Sequence, residues 1–169
     1  MRKTTIILIL TVVFEGLFAG LFYAYSCSVN PGLGGLADKA YLESMQSINR
    51  AILNPLFFMS FLGALLLLPA GAVLTYSQSR ECFVLMFAAA GIYVVGAFGV
   101  TMFGNVPLNN MLDRVDLINA SPDVLTSMRA DFEKPWNRLH SIRTFFSVVS
   151  FILTIVACVK YCARPVFLN

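Results

Sequence analysis

The sequence predicts an all-α membrane protein: a four-transmembrane-helix bundle with short amphipathic helices in its two long outer loops. Three observations predict it. Of 169 residues, 58% are hydrophobic and only 12% charged, against about 25% charged in a soluble domain, and the mean hydropathy is +0.77. Four stretches, at about 4–29, 55–76, 82–104 and 136–161, meet or approach the roughly 20 apolar residues a helix needs to cross the hydrocarbon. The last stretch also carries a polar seam on one side only. The chain 1–169 reads as a single four-span membrane domain.

Span one, from Thr4 to Val29, is interrupted only by Glu15. Its apolar run is longer than the core of a secretory leader, so it reads as a span rather than a cleaved segment. Asn30-Pro31-Gly32-Leu33-Gly34-Gly35 is a turn-rich exit. Asp38 is expected to cap a short helix with Tyr41, Met45, Ile48 and Ile52 on its apolar face. Asn54-Pro55 starts span two, with the proline in the tolerated first turn, and Pro69 marks a kink.

Span three carries no charge and has Ala88-Ala89-Ala90-Gly91, Gly96 and Gly99. With Gly16 and Gly20 of span one, these allow close approach of helices in lipid. Asn105 is expected to cap a second short helix opening Val106-Pro107. Ser121-Pro122-Asp123 starts a third, which Pro135 is expected to end before span four begins at Trp136.

Alternate steps of four and three residues along span four give Trp136, His140, Arg143, Ser147, Ser150, Thr154, Ala157 and Tyr161. Such steps keep side chains on one side of a helix. Lipid cannot satisfy an imidazole, a guanidinium and three hydroxyls, so this stripe faces protein, water or a ligand.

Arg2, Lys3, Arg80, Lys160 and Arg164 are concentrated in the tails and one short turn, whereas the long loops dilute their basic residues with acids. That density puts both termini inside and both long loops outside. The expected location is a bacterial inner membrane with cytoplasmic termini. A net charge of +3 without a basic run gives no reason to invoke nucleic acid. On this topology Cys27 is near the outer face, and Cys82, Cys158 and Cys162 are near the inner one. They read as small apolar fillers rather than a disulfide framework. A single histidine argues against a haem or metal site, which needs several converging ligands.

Glu15 must face the bundle, be protonated or be paired. It is either a neutral contact to the hydroxyls of Ser147, Ser150 and Thr154, or a proton acceptor or substrate anchor. His140 is a candidate general base, or else an interhelical hydrogen-bonding group. Arg143 offers five donors to an anionic or enolate oxygen; the alternatives are headgroups or Glu15. Trp136 is the sole tryptophan, at a depth where tryptophan is common. Asn49, Asn105, Asn109 and Asn137 place amides at the same outer level and complete the candidate substrate-binding set with Trp136.

Several of these motifs together resemble the DUF1772 family, also called the anthrone oxygenase family. They are Asn30-Pro31-Gly32-Leu33, Met45-Gln46-Ser47-Ile48-Asn49-Arg50, Leu53-Asn54-Pro55, Gly104-Asn105-Val106-Pro107-Leu108-Asn109 and Arg143-Thr144. The likeness runs in order over nearly the whole chain. It departs ahead of the last span, where many members read Trp-Asn-His just before the arginine and this chain reads Leu139-His140-Ser141-Ile142-Arg143.

The resemblance implies an oxidation of anthrones to anthraquinones by dioxygen, as fungal members are implicated in doing without a known organic cofactor. The expected mechanism has His140 or Glu15 remove a proton from a flat phenolic, polyketide-like substrate drawn from the bilayer. Arg143, Asn49 and Asn109 then stabilise the anion. Two other classes compete with it. One is a non-catalytic membrane assembly partner or lipid- or quinone-binding module; in any class the chain is a candidate homo-oligomer. The other is a proton-coupled transporter using Glu15, which the absence of a repeat disfavours.

Overall fold

A computed structural model describes residues 3–164; Arg2, counted above among the inner charges, lies outside them. Among the described residues there are five continuous helices and no strand: α1 Lys3–Gly34, α2 Asp38–Ala51, α3 Pro55–Tyr76, α4 Arg80–Asp113 and α5 Pro122–Cys162. All but α2 are long and apolar enough to cross a membrane. They form a ring: α1 packs on α3, α3 on α4, α4 on α5, and α5 returns to α1. The core between them combines Leu8, Leu68, Met86 and small alanines with an aromatic group, Phe18, Phe61 and Tyr93. The Tyr93 hydroxyl donates to the Phe61 carbonyl at 2.8 Å. At the end of the bundle expected to face inward, Tyr161 donates to Gln78 and Lys160 pairs with Glu81 at 3.0 Å.

The helices run on where the sequence suggested breaks. The expected turn at Asn30–Gly35 is the last part of α1, and the expected short helix at Val106 is the end of α4. One device explains both. Each proline follows a widened turn with a five-residue hydrogen bond, Asn30 N–H to Tyr25 O ahead of Pro31 and Val106 N–H to Thr101 O ahead of Pro107. The added residue shifts the ladder, so a proline that lacks its donor does not end the helix. Asn105 is consequently no cap: its backbone is helical and its side chain makes no cap bond.

Pro135 likewise sits inside the 41-residue α5. It lies on the exposed side, as does Asp131, whose carbonyl loses its partner, so the helix continues into the last span. Asn54 caps α3, accepting from Phe57 N at 3.1 Å, and Ser79, which sequence reasoning did not single out, caps α4 by accepting from Cys82 N at 3.3 Å.

Helix α2 lies across the opposite end of the bundle, the one expected to face outward. Tyr41, Leu42 and Met45 face down onto Leu112, Phe132 and Trp136. Gln46 donates to the Leu112 and Val115 carbonyls at 2.8 and 3.0 Å, and Arg50 pairs with Asp113 at 2.7 Å. Asp38 does not cap α2. Its carboxylate accepts from Thr126 at 2.7 Å and Arg129 at 3.0 Å. Those two bonds hold it below the usual carboxylate range.

Arg129 also donates to the Gly34 and Leu36 carbonyls and lies 4.6 Å from the Tyr41 ring centroid. It is therefore the pin that ties α5 to the start of α2. Arg129→Ala is expected to raise amide exchange across residues 38–51 by about tenfold or more while the spans stay protected. Equal protection in both proteins would refute that role.

Candidate functional site

Every residue of the polar seam on α5 is buried. Its inner part makes contacts between spans. Ser150 Oγ is 2.5 Å from Glu15 Oε1 and donates to the Ala89 carbonyl at 2.9 Å. A hydroxyl has one proton, so both contacts are hydrogen bonds together only when Glu15 is the protonated donor. Ser147 returns its hydroxyl to the Arg143 carbonyl at 2.6 Å.

The outer part is built differently. The Trp136 and His140 rings stack at 5.2 Å with 5° between their planes, and the indole N–H donates to Asn109 Oδ1 at 2.7 Å. The Arg143 guanidinium lies 4.2 Å from the Phe22 ring centroid and 5.1 Å from that of Trp136. It approaches Thr101 Oγ1 at 3.4 Å and His140 Nδ1 at 3.3 Å. Two aromatic faces therefore carry part of the cation's stabilisation.

Phe22, Thr101, Asn109, Trp136 and Arg143 border a cavity that opens on one side. Leu21, Phe22 and Tyr25 form the α1 wall, and Ile48 and Asn49 of α2 with Ile52 just beyond it form the roof. Phe57 of α3 and Thr101, Val106 and Asn109 of α4 close two further sides; Trp136 and Arg143 come from α5. The wall is mostly apolar with a few convergent polar groups, the usual make-up of a small-molecule site.

Two of the polar groups have no partner. Arg143 Nε and Asn49 Nδ2 are buried donors without an acceptor. No carboxylate among the described residues lies within ion-pairing distance of Arg143, which is only 7% exposed. A buried cation and a buried amide with donors to spare make an anion-seeking pair.

The structure brings together Asn49, Asn109, Trp136 and Arg143 from the residues expected on sequence grounds. His140 is behind the wall, against Arg143 and Trp136, and is not among the lining residues. Glu15 is deeper still, with Ser150. Asn105 is fully buried and donates to the Trp136 carbonyl at 3.2 Å, supporting the wall from outside. Asn137 is half-buried and away from the cavity.

Sequence reasoning missed Tyr25 and Thr101. Tyr25 and Thr101 each open a widened turn, and each precedes a proline by six residues, at Pro31 and Pro107. A proline with no helix-ending residues before it was the available signal.

Residues 54–153 match the family model described as anthrone oxygenase. The chain belongs to the anthrone oxygenase family. No curated protein and no solved structure matches it. The span matched to the anthrone oxygenase model includes Thr101, Asn105, Asn109, Trp136, His140 and Arg143, so the α4 and α5 walls of the cavity belong to the family region. Tyr25 and Asn49, from α1 and α2, complete the site from outside that region.

Proposed function

We propose that this member of the anthrone oxygenase family is an integral-membrane oxygenase acting on a hydrophobic, phenolic, polyketide-like substrate. The observation that carries the reading is Arg143, a buried guanidinium with a free donor and no carboxylate partner, on the wall of an aromatic-lined cavity.

An anthrone is a carbon acid whose conjugate base is a flat, phenolate-like enolate. Phe22, Tyr25 and Trp136 offer aromatic faces to its ring, and the unpartnered donors Arg143 Nε and Asn49 Nδ2 would be the hydrogen-bond donors to its oxygen. Donors fixed in place favour the anion over its neutral acid. The proton leaves by the cavity mouth. The electron-rich carbon adds dioxygen to form a C–OO bond, and the peroxide takes up the released proton. Loss of water then leaves the new carbonyl. One oxygen atom enters the quinone and the other becomes water, so CH2 plus O2 gives C=O plus H2O.

In this reading dioxygen is the co-substrate and no organic cofactor is used. The bilayer delivers the substrate, and the protein works in a bacterial inner membrane with both termini cytoplasmic, alone or as a homo-oligomer.

A second reading is a binding module for quinones or lipids. It is favoured by the wall itself, where the lining residues include no carboxylate and no imidazole to act as a base.

One experiment separates them. The protein in lipid nanodiscs is titrated with 1,8-dihydroxyanthrone while the fluorescence of Trp136, the sole tryptophan, is followed together with oxygen uptake. Quenching with one dioxygen consumed per anthraquinone formed, above the spontaneous rate, supports the oxygenase. Quenching without uptake supports the binding module. Absence of both removes both readings.

A further inference from the structure

We infer that His140 is a positioning residue: a neutral tether that holds Arg143 in place without cancelling its charge. The inference rests on the anion-binding role proposed for Arg143, and the proton bookkeeping that leads to it is independent of that role.

Each nitrogen of the His140 ring has a neighbour. Arg143 approaches Nδ1 at 3.3 Å, and a guanidinium has donors only. Nδ1 must therefore accept, and carries no proton. Ser26 Oγ lies 3.0 Å from Nε2 and itself donates to the Phe22 carbonyl at 3.1 Å. The Ser26 hydroxyl proton is thus used, and Nε2 must donate to its oxygen. Thr144 Oγ1, 3.3 Å from the same nitrogen, already gives its proton to the His140 carbonyl at 2.7 Å. It too can only accept. Every contact fits one species, the neutral ring with the proton on Nε2. A second proton on Nδ1 would point N–H at N–H.

That assignment explains why a histidine stands where a carboxylate would bind arginine more strongly. Glu or Asp beside Arg143 would fix the guanidinium and neutralise it, leaving nothing to attract an anion. An imidazole nitrogen takes one of the five donors and leaves the full positive charge on the cavity wall. Trp136 stacked on the ring at 5° keeps it in plane with this task. The chain from Arg143 through His140 to Ser26 ends on a backbone carbonyl of α1, so two spans are locked across the cavity's back.

The sole histidine of the chain makes the test direct. In protein labelled with 15N-histidine and held in nanodiscs at neutral pH, the one imidazole should show an unprotonated Nδ1 and a protonated Nε2. The opposite tautomer, or a doubly protonated ring, would overturn the inference, whether or not the protein binds anthrones. Affinity is then read by Trp136 quenching with 1,8-dihydroxyanthrone in three variants.

His140→Gln, which keeps a neutral acceptor, should bind within about threefold of the parent. His140→Phe, which fills the space and removes the acceptor, should bind about tenfold or more weakly. His140→Glu should lose binding although its carboxylate holds the guanidinium. Equal affinity in the Phe or Glu variant would overturn the tether. A wild-type protein that fails to bind the probe would instead remove the functional reading, and the tautomer would still decide the assignment.

Discussion

Replacing Arg143 with Met is expected to weaken 1,8-dihydroxyanthrone binding by about thirtyfold or more, and to leave the protein at least as heat-stable as before. The two effects have one cause. A hydrogen bond to a charged group contributes about 1.5–3 kcal/mol, which is about a 10- to 150-fold effect on affinity. Arg143 is a residue of the cavity wall and its Nε is a buried donor without a partner, so a ligand oxygen that reaches it gains such a bond. Stability moves the other way because a buried charge without an opposite partner is a cost to the fold. Methionine has similar length and packs well against Phe22 and Trp136, the rings the guanidinium now covers.

Arg143→Lys should fall between the two. It keeps the charge but has no fork to span Thr101 and His140. The measurement is a pair: dissociation constant and thermal midpoint in the same detergent. A methionine variant that binds normally and unfolds earlier would make Arg143 a structural residue and remove the proposed site.

Gly96→Val is expected to cost about 3 kcal/mol, the upper part of the range for overpacking. A Cβ at Gly96 would stand 2.5 Å from Phe146 Cβ and 2.6 Å from Phe146 Cδ2. The first of these is attached to backbone and cannot swing aside, so α4 and α5 must separate. At Gly20, by contrast, a Cβ would meet nothing within 4 Å, and Gly20→Ala should be neutral or slightly stabilising. The Gly96 variant should also lose ligand affinity, because Thr101 lies five residues further along α4 and would be drawn away from Arg143. Thermal unfolding of the two glycine variants side by side provides the check. Equal midpoints would mean that close approach at Gly96 does not hold the bundle together.

The spans and the buried seam were legible because lipid enforces them. Twenty apolar residues and a polar stripe have few alternatives in hydrocarbon. The seam from Trp136 to Tyr161 faces inward at every expected position. The short outer helices were less legible. Pro31, Pro107 and Pro135 read as boundaries, as prolines usually do, yet each is accommodated within a longer helix.

The site was half legible for the same reason. Arg143, Trp136, Asn49 and Asn109 stood out as polar or amphipathic groups at one depth. Tyr25 and Thr101 did not, because their orientation is set by backbone that departs from the regular helical turn. His140 stood out and pointed to a base. Only the donors around its two nitrogens reveal that its lone pair is already committed.

The widened turns in α1 and α4 have a consequence for phase. In a regular helix each residue advances the side-chain direction by about 100°, so one inserted residue rotates everything beyond it as a block. The inner half of α1, with Leu8, Glu15 and Phe18 buried, is indexed to the bundle; the stretch beyond Tyr25 carries a different index. The inner and outer parts of α4 are decoupled in the same way across Tyr93–Gly99 and Thr101–Asn105. Each span thus works as two helices on one axis, clocked separately. On α4 the part before the widened turns packs in the core, while Thr101, Val106 and Asn109 at and beyond them line the cavity, so that wall can change without disturbing the membrane core.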